Sequence, residues 1–126
     1  MLPIRIVDSV TELTRQDGGC LAVTGSHGGV SSGRFASASR PLLTVFNDAG
    51  VGRDDAGIAG LALLEREGLA ACAVGHLTAR IGDARSTLDD GIIRHANTLA
   101  LALGVVPGQT TRQALHAVQE QQRRSS

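Results

Sequence analysis

Short apolar runs recur along the chain at residues 3–7, 20–23, 42–46 and 69–74, and each breaks off into glycine, serine, asparagine or aspartate. Runs this short, apolar throughout rather than alternating with polar residues, suit strands buried on both faces. Between them the spacing changes. Asp8 or Ser9 caps a short helix through Gln16, closed by Asp17-Gly18-Gly19. Asp54 and Asp55 supply the cap and first-turn negative charge of a second helix, with Ile58, Leu61 and Leu64 on one face and Gly68 as its stop. Gly57 and Gly60 inside it point to close approach to the sheet or to another subunit. Ser86 or Thr87 opens a third helix carrying Leu88, Ile92, Ala96, Leu99 and Leu103 at three- and four-residue spacing up to Gly104. Thr110 or Thr111 opens a last helix with Ala114, Leu115 and Val118 on one side.

Strands alternating with helices predict a three-layer α/β sandwich with a small, mostly parallel sheet of about four strands. Residues 1–120 form the single domain, and residues 121–126 are a polar, disordered tail. In such sheets ligands sit beyond the carboxyl ends of the strands, where the segments 24–33, 47–57 and 75–86 should converge.

Composition narrows the partners. Twelve basic and twelve acidic residues balance, and no basic run exceeds Arg123-Arg124, so nucleic acid and anionic membrane find little to attract them. No apolar stretch is long enough to span a bilayer and no leader pattern opens the chain, which places it in the cytoplasm. Cys20 and Cys72 lie in apolar surroundings and read as small hydrophobes rather than a disulfide. Lysine is absent, leaving arginine as the fixed cation for anions and excluding a lysine Schiff base. Phe35 and Phe46 are the only aromatic residues, too few for a base-stacking platform.

The candidate chemistry lies at the strand ends. In Thr24-Gly25-Ser26-His27-Gly28-Gly29, the glycines Gly28 and Gly29 can turn backbone N–H groups toward an anion or oxyanion, as can Gly50 and Gly52 in the next loop; the alternative is simple tight turning. Neither loop carries a Walker lysine or the dinucleotide fingerprint, and no cofactor is implied. His27 is a candidate acid or base, with Asp48 or Asn47 orienting it, and its alternative is to cap loop backbone. Ser26 beside it is a ligand contact rather than a nucleophile, because neighbouring side chains of an extended segment point apart. His76 is the second catalytic candidate, with Arg80 as anion anchor and Asp83 nearby. The histidines and carboxylates lack a diagnostic ligand spacing, so no metal site is expected. His95 reads as a structural residue on an apolar helix and His116 as a solvated one.

From Leu42 onward the order of features resembles the caspase-like hemifold of CHAT-type peptidases. His27-Gly28 matches that family's His-Gly motif, and Asn47-Asp48-Ala49-Gly50-Val51-Gly52 falls where its cysteine and Gly-x-Gly turn would be. Asn47 stands at the cysteine position, so the resemblance implies the topology without the peptidase activity. The leading expectation is a small-molecule enzyme, a hydrolase or acid/base catalyst acting on an anionic or carbonyl-containing substrate at these loops. The alternatives are a non-catalytic small-ligand-binding or partner subunit, and a mainly structural subunit. A homo-oligomer is expected in each case, because a small sheet leaves edges to cover.

Overall fold

The computed structural model describes residues 1–125. Its five strands are β1 Ile4–Val7, β2 Leu21–His27, β3 Leu43–Asn47, β4 Ala70–Val74 and β5 Ile93–Ala96. They lie side by side in chain order, the first four parallel and β5 antiparallel to β4. Right-handed connections between parallel strands added in one direction all fall on the same face of the sheet. That face carries two single 3-10 turns after β1, then α1 Val30–Ser39 and α2 Ala59–Arg66. The opposite face carries α3 Ala84–Asp90, α4 Thr98–Ala102 and α5 Thr111–Ser125.

Within β2 to β4, alternate residues serve two dry interiors. Leu21, Val23, Leu43, Val45, Cys72 and Val74 pack toward Leu88, Ala114 and Val118. Ala22, Phe46, Ala71 and Ala73 pack toward Val10, Ala36, Leu61 and Leu64. Both layers exclude water, so the strands need no polar alternation. The free thiols follow the same division: Cys20 belongs to one interior and Cys72 to the other, with the sheet between them. Desolvation raises the Cys72 thiol pKa to about 12.

Several local expectations are corrected. The helix expected from Asp8 or Ser9 to Gln16 is two 3-10 turns, Val10–Glu12 and Arg15–Asp17, because Ser9 with Glu12 and Thr14 with Asp17 each form a complete capping box and the chain restarts at the second. Helix α1 has no counterpart in the sequence reading: its buried face is Ser32, Gly33, Ala36 and Ser39, which gives no apolar period, while Phe35 is half exposed. The expected long helix from Ser86 to Leu103 is α3, then β5, then α4. Asp83 rather than Ser86 caps α3, Gly91 ends it, and Asn97 caps α4 with its side chain on the Ala100 N–H. The sheet therefore has a fifth strand.

Asp54 and Asp55 do not cap α2. They sit in a 3-10 turn ahead of it, both in the left-handed region. Gly60 serves the crossing of α1 over α2 rather than contact with the sheet or a second subunit: a Cβ there would lie 2.2 Å from the Gly29 carbonyl oxygen, and one on Gly33 only 3.0 Å from the Gly60 Cα. The tail is helical through Ser125, where α5 continues past residue 120; Ser126 lies outside the described residues.

Candidate functional site

After β4 the chain crosses back over the carboxyl ends of β3 and β2 before α3 begins on the far face. The crossing segment is tied down at each strand it passes. The Asn47 side-chain amide donates to the Ala79 carbonyl at 3.1 Å, the Gly82 N–H to the Gly25 carbonyl at 2.7 Å, and the Ala84 N–H to an Asp8 carboxylate oxygen at 3.0 Å. Gly25 is required for this, since a Cβ there would lie 2.4 Å from the Asp83 nitrogen. The carboxyl end of β2 is thus occupied by the protein itself. What stays open is a depression of about 670 Å³ beside the crossing segment, bounded by Asn47, His76, Thr78, Arg80, Ser86 and Asp90.

Asp48, at the end of β3, organises this region. It is 2% exposed, yet each of its carboxylate oxygens has a polar partner. Oδ1 accepts from the backbone N–H groups of Gly50 and His76, each at 2.9 Å, and lies 3.3 Å from His76 Nδ1. Oδ2 lies 3.2 Å from His95 Nε2. Burial raises the carboxyl pKa, but the Gly50 and His76 N–H groups and His95 outweigh it, and the net shift is downward from the ordinary 3.8. Asp48 is therefore an anion at neutral pH, flanked by an imidazole on either side. His76 is half exposed and lines the depression; His95, less exposed, faces a separate groove between α2 and α4.

The backbone beside Asp48 is unusual. Ala49, Gly50, Val51, Gly52, Asp54 and Asp55 all have positive φ. For the β-branched Val51, at φ 65°, this is a strained conformation. The loop is held shut by the Val51 N–H on the Asp48 carbonyl and the Gly57 N–H on the Val51 carbonyl, both at 2.7 Å.

Comparison with protein-family models, with curated proteins and with solved structures finds no match for the chain.

The residues singled out in the sequence are distributed unequally. Asp48 and His76 meet. His27 and Asn47 are register partners on neighbouring strands, but among the described residues the polar partners of the exposed His27 ring are the Gly29 N–H, at 3.0 Å from Nδ1, and the Ser32 hydroxyl, at 3.5 Å. Neither Asp48 nor Asn47 orients it. Accepting at Nδ1 leaves the proton of the neutral His27 ring on Nε2.

Asn47 is fully buried and uses both ends of its amide, one on Ala79 and the other accepting from the Ala49 N–H. Ser26 accepts from the Val10 N–H through its hydroxyl, which fastens the first 3-10 turn to β2. The glycine N–H groups expected to face an anion are spent internally: Gly28 on the Asn47 carbonyl, Gly29 on His27, Gly50 on Asp48 and Gly52 on the Gly50 carbonyl. Asp83 caps α3 through Oδ1, while Oδ2 lies 3.6 Å from the largely exposed Arg80 guanidinium. Among the described residues no group of histidine, cysteine and carboxylate ligands is arranged to hold a metal ion, and no helix is long and apolar enough to cross a membrane.

His95 is the residue the sequence reading passed over. The sequence carries no strand signal here: Ile93-Arg94-His95-Ala96 does not alternate, β5 shifts register against β4 between Ile93 and His95, and Ile92, Ala96 and Leu99 fit a helical spacing that runs straight through it.

Proposed function

We propose that the domain is an acid/base catalyst that binds a small polar molecule in the depression beside residues 76–90, with His76 as the proton-transfer group and Asp48 orienting it. One observation carries this reading: His76 Nδ1 lies 3.3 Å from the buried Asp48 carboxylate while the ring borders the open depression. A carboxylate on Nδ1 favours the proton there, which leaves the Nε2 lone pair available to a substrate and steadies the imidazolium once it forms. Arg80, extended into solvent at the rim, supplies the cation for an anionic substituent. The depression's hydroxyls are engaged elsewhere. Thr78 donates to the Gly75 carbonyl, and Ser86 accepts from the Arg80 N–H while donating to Asp90. Proton transfer, for example next to a substrate carbonyl, therefore fits better than attack by a serine or threonine.

The experiment is a panel of small carboxylates and carbonyl compounds incubated with the protein in deuterated water, with carbon-bound hydrogen exchange followed by NMR. Once a substrate is found, His76→Ala should slow exchange by about 10²-fold or more. Unchanged exchange in that variant would remove His76 from the mechanism.

A non-catalytic ligand-binding subunit is the second reading, favoured by the internal use of the glycine N–H groups, which leaves no oxyanion hole at Gly28 and Gly29. It predicts thermal stabilisation by a ligand that His76→Ala leaves intact, with no turnover.

A further inference from the structure

We infer that His95 is a positioning residue for the His76–Asp48 pair; this rests on the proton-transfer reading of His76. The two carboxylate oxygens of Asp48 are held differently. Oδ1 is pinned by two backbone N–H groups before it meets the His76 ring, whereas Oδ2 has His95 Nε2 as its partner. Rotation of the carboxylate about its Cβ–Cγ bond is thus restrained on the Oδ2 side by His95. Without that donor the carboxylate can pivot about the Oδ1 contacts as Oδ2 seeks another partner, which changes the angle at which Oδ1 meets His76 Nδ1.

The sheet sets the distances. His95 is opposite Ala73 across the antiparallel β4–β5 pair, and β4, which pairs with β3 up to Asn47↔Val74, runs directly into Gly75 and His76, so the two pairings of β4 together bring both imidazoles to Asp48. The Asn97 side chain secures that pairing by donating to the Leu61 and Leu69 carbonyls and accepting from the Ala71 N–H. The antiparallel fifth strand thereby does more than close the sheet: it delivers the second donor to Asp48 from the side away from the depression.

The test reads the His76 ring directly, by long-range proton–nitrogen NMR on the full chain in the wild type and in His95→Gln, His95→Leu and Asp48→Asn. In the wild type the neutral His76 ring should carry its proton on Nδ1. Glutamine places an amide donor at about the reach of Nε2 and should preserve that tautomer; leucine offers no donor and should lose it, while the amide spectrum stays dispersed. Should His95→Leu fail to fold, His95→Asn, polar but too short to reach Oδ2, is read in its place with the same expectation as leucine. If His76 is unchanged in the leucine or asparagine variant although Asp48→Asn alters it, the role of His95 is overturned and the His76–Asp48 pair stands. If the wild-type ring is protonated on Nε2, or Asp48→Asn leaves it unaffected, the proposed function falls and the inference with it.

Discussion

At the scale of single residues, Asp48 makes the clearest thermodynamic statement. Its carboxyl pKa is lower in the folded protein than the ordinary 3.8 expected of the unfolded chain. A group depressed in this way contributes stability that is fully present above the unfolded value and is lost as pH falls through the folded one. Urea unfolding from about pH 5 down to about pH 2 should therefore show the stability gap between wild type and Asp48→Asn narrowing with acid. A constant gap across that range would mean that the charge of Asp48 is not what stabilises the fold. Val51 makes a second statement next door. A β-branched residue in the left-handed region costs about 1–2 kcal/mol, whereas glycine there costs unfolded-state entropy of about 0.5–1 kcal/mol. Val51→Gly should accordingly raise the urea midpoint by a small margin, equivalent to about 0.5 kcal/mol. Lowered stability instead would show that Val51 packing outweighs its backbone strain.

At the scale of elements, the α1–α2 crossing shows why some features were legible in the sequence and others were not. Helix α2 announces itself through Leu61 and Leu64, which reach the interior as large apolar side chains at helical spacing. Helix α1 buries serine, glycine and alanine, so its inner face has no hydrophobic signature even though it packs as closely. Close packing of small residues has its own test. In Gly60→Ala the new methyl would lie 2.2 Å from one carbonyl oxygen and 2.8 Å from another, both backbone atoms of the Gly28-Gly29 turn that leads into α1. The helices must separate, at a cost of about 2 kcal/mol measured by chemical denaturation. An unaltered midpoint would show the crossing to be loose. The candidate site divides in the same way. Asp48 and His76 were visible because they end apolar runs in polar residues, where strand-end loops carry chemistry. His95 was hidden because Leu88, Ile92, Ala96 and Leu99 recur at helical spacing across an irregular strand, and only the pairing of β5 with β4 overrides that pattern.

At the scale of the whole molecule, the parallel α/β architecture could be read from four apolar runs and their glycine-rich exits, while the order of strands could not, since no local pattern encodes which neighbour a strand takes. Chain order β1 to β5 leaves β1 at one edge, with Ile4 and Ile6 partly exposed and β2 as its neighbour in the sheet. Something beyond strand pairing must hold the start of the chain there, and α5 provides it. Gln119 accepts from the Leu2 N–H and donates to the Leu2 carbonyl, both at 2.8 Å, which reproduces with a side-chain amide the paired bonds of a strand neighbour. This clasp joins residues 117 apart in sequence, and beyond it, where the tail was expected, the Gln121 side-chain amide donates to the Ala102 carbonyl at 3.0 Å. Losing two partly buried hydrogen bonds at about 1 kcal/mol each sets the scale for Gln119→Ala, about 1–2 kcal/mol. Because the clasp grips only the chain start, local opening should exceed the global loss. Hydrogen exchange at Leu2, and at Leu21, whose N–H donates to the Pro3 carbonyl, should accelerate in the variant, while the amides of β3 and β4 change only by the global amount. Uniform acceleration across the sheet would instead show that β1 and the interior strands open as a single unit, with α5 stabilising all of them equally.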